Sequence, residues 1–141
     1  MAKARVWTSF PGILGLLFMA AAAVGGILEG IYWWLPMYQL SGGDVIGLVM
    51  TILVFAGAGF AGLNIIISIF GIPKALWIVF AFLAFGCILA PALLIIIALE
   101  GYFIYASMVW YHAVPMDFIG FWLGAGGSLL AFLIGFFIPR D

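Results

Sequence analysis

Long apolar runs fill this chain, separated by short stretches in which glycine, proline and the few charged residues collect. A helix is expected from about Pro11 to Tyr38. Ser9 would cap it, and Pro11 would sit in the first turn, where a missing N–H costs nothing. Ser41-Gly42-Gly43-Asp44 forms the first break, a turn followed by an acid in capping position. A second helix covers roughly Val45 to Phe70. Gly71-Ile72-Pro73-Lys74 is the second break, after which a third helix passes through Pro91, an expected kink, to about Glu100. Residues 101–116 stay aromatic and fit either a helical extension or an interfacial segment. The last helix runs from Asp117 to about Ile138. Roughly 20 apolar residues cross a hydrocarbon core, so the pattern predicts an all-α membrane protein with four transmembrane helices in one integral domain, 1–141.

A second pattern lies over the first. An offset of 71 superposes Lys3 on Lys74, Leu28-Glu29-Gly30 on Leu99-Glu100-Gly101, and Tyr32 on Phe103. An offset of 73 then superposes Tyr38 on Tyr111, Asp44 on Asp117 and Gly47 on Gly120. With only four Lys or Arg and five Asp or Glu in the chain, registered charges point to two tandem helical hairpins, 1–70 and 71–141. Because each hairpin crosses twice, they form a parallel internal repeat.

Composition agrees with the membrane reading. The chain is 69% hydrophobic and 6% charged, against about 25% charged in an ordinary soluble domain, and its mean hydropathy is +1.42. A net charge of −1 gives no electrostatic footing for nucleic acid. Cys87 is the single cysteine, so an internal disulfide is excluded. The basic lead before an apolar stretch resembles a signal peptide, but the stretch continues past any cleavage point and is expected to be retained as the first helix.

Charge placement predicts the orientation. Lys3, Arg5, Lys74 and Arg140 fall at the two termini and in the loop between the second and third helices. Four spans put these places on one side, and basic residues mark the cytoplasmic side. Both termini are therefore expected in the cytoplasm. Glu29, Asp44, Glu100, His112 and Asp117 lie toward the extracytoplasmic face, with an aromatic belt that includes Tyr32, Trp33, Trp34 and Tyr102.

Glu29 and Glu100 are the candidate site, a paired proton- or cation-binding position, since ionisable groups inside a membrane are costly and rare. The competing expectation is an acid at a helix end bonded to a Tyr or Trp. Asp44 and Asp117 precede apolar runs and read as helix caps. His112 and Asp117 are weak metal candidates, and no compact ligand cluster indicates a cofactor. Asn64 is expected to bond a neighbouring helix. Ala22, Gly26 and Gly30, Ala58 and Gly62, and Gly120, Gly124 and Ser128 repeat at intervals of four, as close helix packing requires.

These features predict a non-catalytic membrane subunit of a larger complex, respiratory or otherwise energy-transducing. The alternative is a small oligomeric proton- or cation-coupled transporter or channel using the two glutamates. A second alternative is a subunit contributing to a shared metal or quinone site. The expected partners are the lipid bilayer and other membrane subunits or further copies of the chain.

Overall fold

The computed structural model describes residues 4–35, 45–97 and 119–139, and they are helical apart from the two ends and the turn at 71–73. Helix α1 is Phe10–Glu29 and continues into a π turn, Gly30–Trp34. Helix α2 is Val45–Phe70 and α3 is Lys74–Ile97, with Pro91 inside it. The last rod joins a short α4 (Ile119–Phe121), a second π segment (Trp122–Gly126) and α5 (Gly127–Gly135). Three stretches, Phe10–Tyr32, Leu48–Phe70 and Lys74–Pro91, are long and apolar enough to cross a membrane, whereas Trp122–Gly135 is shorter.

The start of α1 matches the capping expectation. Ser9 is extended, and its side chain accepts from the Gly12 N–H at 3.1 Å. Residues 4–9 are not helical and fold back across the base of the bundle. There the Ala4 N–H donates to the Ile72 carbonyl and the Arg5 N–H to the Pro139 carbonyl, both at 2.8 Å. The Lys74 ammonium donates to the Phe136 carbonyl at 2.7 Å, satisfying an end group of the last rod. Gly71 holds φ +93°, the left-handed value that lets the chain reverse between α2 and α3. The lead, the α2–α3 loop and the end of α5 thus meet at one end, which carries Arg5 and Lys74. The described residues end before Arg140 and begin after Lys3.

Neighbouring rods run antiparallel in the order α1, α2, α3, last rod, back to α1, while α1 and α3 lie across the diagonal. Small residues bring them together where lipid supplies no hydrophobic drive. Gly26 faces Ala58, and a Cβ on Gly26 would stand 2.9 Å from the Ala58 Cβ. Gly124 and Gly120 face Gly25, and Gly127 faces Phe18 and Ala22. Of the expected small-residue positions, Gly62 packs against nothing within 4 Å. One core centres on Met19, Trp77, Ala81 and Ala131; a smaller one holds Ile88, Phe121 and Ala125.

Candidate functional site

Glu29 ends the regular part of α1, about 28 Å along a helix counted from Phe10. It is fully buried. A long side chain with a carboxyl group is not expected in an apolar interior, so its surroundings carry the interest. Gly26 and Gly30, the small residues on either side of it, let α2 come close. Gly26 lies on Ala58, and Gly30 lies under the Phe55 ring, whose Cζ would be 2.6 Å from an added Cβ. The neighbouring Gly25 touches the Gly120–Gly124 backbone.

The Trp34 indole Nε1–H donates to Glu29 Oε2 at 2.7 Å, a bond wholly inside the protein. These residues are five apart. On an α-helix a separation of five turns the side chains roughly 140° from one another. In the π turn the backbone closes i→i+5 and stacks them, and the Leu35 N–H indeed donates to the Gly30 carbonyl. The π turn is therefore what brings the indole to the acid. Glu29 Oε1 is buried and has no hydrogen-bond partner among the described residues. One oxygen of the carboxyl group is held and the other is open.

The expectations for this region divide. Glu29 is inside the bundle, and the expected Tyr or Trp partner is Trp34. Trp34 itself departs from the aromatic-belt expectation, being 1% exposed where Tyr32 is 61% exposed. Glu100, His112, Asp117 and Asp44 lie outside the described residues, as do the pairing of the two glutamates and any shared metal site. Among the described residues no group of three or more His, Cys, Asp or Glu is placed to hold a metal.

A second buried polar group joins α2 to α3. Asn64 Nδ2 donates to the Trp77 carbonyl at 3.2 Å, as expected for a bond to a neighbouring helix, and Ser68 Oγ donates to the Asn64 carbonyl at 2.7 Å. Asn64 Oδ1 and Trp77 Nε1 are buried without partners among the described residues. No signal in the sequence marked Trp77 as part of this group. Compared with models of known protein families, with curated proteins and with solved structures, the chain matches none.

Proposed function

We propose that the chain threads the bilayer four times, as two tandem hairpins with both termini cytoplasmic, and binds and releases a proton at Glu29 as part of a proton-coupled transporter or channel. The observation that carries this reading is the half-partnered carboxyl group buried in the helix bundle. An ionised carboxylate taken out of water costs several kcal/mol, and one hydrogen bond to a charged acceptor returns about 1.5–3 kcal/mol. A proton on Oε1 removes the charge and leaves the indole bond on Oε2 in place. A metal cation fits less well, since hard cations take six or more oxygen ligands and the described residues offer one carboxyl group here.

The test is proton flux. Purified protein in liposomes loaded with a pH-sensitive dye should conduct or exchange protons, and Glu29→Gln should abolish this while leaving helicity and elution volume unchanged. Glu100→Gln tests whether the second acid of the sequence repeat shares the work. Full flux in Glu29→Gln defeats the reading.

A second reading, a subunit of a larger membrane complex, is favoured by the outward flanks of α2 and α3. Ile52, Ile66, Ile69, Val79 and Phe82 are all exposed there, an apolar surface against which another membrane chain would pack. Purification from native membranes in mild detergent should then bring down stoichiometric partners; a lone, monodisperse species counts against it.

A further inference from the structure

At the end of the bundle opposite Glu29, the folded-back lead and the end of α2 enclose a groove of about 360 Å³, lined in part by Arg5, Trp7, Thr8, Ile69, Phe70 and Gly71. Arg5 is exposed, and its guanidinium has no partner among the described residues. The groove straddles the limits of the apolar spans: its lead residues precede Phe10, and Ile69 and Phe70 close the second span. If these helices cross a membrane, the groove lies at the level of the lipid headgroups.

Its chemistry is two-sided. One wall supplies a cation and the Thr8 hydroxyl. The other, from α2, presents Ile69 and Phe70, 62% and 77% exposed, beside Ser68, while Trp7 of the lead is 51% exposed. Arginine pairs with phosphate through a planar fork of donors, and a tryptophan at this depth is the usual interfacial anchor. The surrounding charge has the same sign. Among the described residues this end of the bundle carries Arg5 and Lys74 and no acid.

We propose that this groove is a binding site for an anionic phospholipid, with the phosphate on Arg5 and Thr8 and an acyl chain along Ile69 and the adjoining flank of α2. The volume suits a headgroup, and the continuous path from guanidinium to lipid-facing isoleucine selects a lipid over a free anion. The proposal does not involve Glu29. It rests only on the helices spanning a bilayer.

The protein, reconstituted in vesicles of equal parts phosphatidylglycerol and phosphatidylcholine and then released into detergent, is examined by native mass spectrometry for retained lipid. The wild type should keep phosphatidylglycerol over phosphatidylcholine by about fivefold, the preference one interfacial cation confers. Arg5→Gln should bring the ratio near one, Arg5→Lys, which keeps the charge but not the planar fork, should retain only part of it, and Lys74→Gln, which removes a charge outside the groove lining, should lower it far less than Arg5→Gln does. Absence of a preference in the wild type, an Arg5→Gln ratio equal to the wild type, or displacement of the lipid by inorganic phosphate overturns the assignment. Extraction of the wild type from the vesicles by alkaline carbonate would instead defeat the membrane reading beneath it, so the two failures are told apart.

Discussion

At the scale of single residues, the structure separates glycines that must be glycine from those that need not be. A methyl group on Gly25 would fall on the backbone nitrogen of Gly124 and stand 2.7 Å from the Gly120 carbonyl, whereas one on Gly59 meets nothing within 4 Å. Backbone cannot rotate away as a side chain can, so Gly25→Ala should force α1 and the last rod apart. The cost expected is about 1–3 kcal/mol, the usual range for overpacking, against no loss for Gly59→Ala. Denaturation in mixed micelles, followed by helicity, measures both. Interval counting passes over Gly25, because it selects Ala22, Gly26 and Gly30. Those face α2 as well as the last rod, and nothing in an apolar sequence says which face meets which neighbour.

The acid and its indole make a second residue-scale prediction. Glu29 stands out in the sequence because no other acid interrupts that run. A double-mutant cycle between Trp34→Phe and Glu29→Leu, which removes the acceptor that Gln would keep, isolates their bond from the packing of the indole ring. Hydrogen bonds to neutral acceptors contribute about 0.5–1.5 kcal/mol and those to charged ones about 1.5–3 kcal/mol. If Glu29 carries a proton at rest, the coupling falls in the lower range. A value in the upper range means the resting carboxyl group is ionised and contradicts the proposed proton site.

At the scale of elements, the expected second helix and the observed α2 share their C-terminal limit, Phe70. The punctuation at Gly71-Ile72-Pro73 is strong enough to place the turn. The π segments were beyond reach of the same reasoning. A helix apolar on every side has no phase to read, so one extra residue in a turn leaves no mark on the hydropathy pattern. The α2–α3 contact offers a check on how polar groups act between such helices. Asn64 donates one bond to the Trp77 carbonyl but buries Oδ1 without a partner among the described residues. Interhelical bonds of this kind average about 0.6 kcal/mol, while an orphaned buried acceptor costs about 1–3 kcal/mol. Asn64→Leu is therefore expected to match or exceed wild-type stability in the same micelle titration. A loss of more than about 2 kcal/mol would show that Oδ1 has a partner, such as a bound water, that Leu cannot replace.

At the scale of the whole molecule, four scattered basic residues were the guide. Their sequence positions implied that the lead, the α2–α3 loop and the C-terminal end share one end of a bundle. The hydrogen bonds from Ala4 to Ile72, Arg5 to Pro139 and Lys74 to Phe136 join those three segments. Backbone pairing of this kind fixes which elements meet. The side of the membrane they face depends instead on electrical asymmetry between the two aqueous compartments, acting on the basic residues during insertion. That calls for a separate measurement. In a Cys87→Ser background, Thr8→Cys and Lys74→Cys should react with a membrane-impermeant maleimide only when the cytoplasmic face is open to it. Val45→Cys, at the exposed start of α2, should react only from the opposite face. Positions 8 and 45 bracket α1, so labelling of both from one compartment means that α1 does not span the bilayer. The orientation, the proton path through Glu29 and the lipid groove at Arg5 would then all lose their membrane frame.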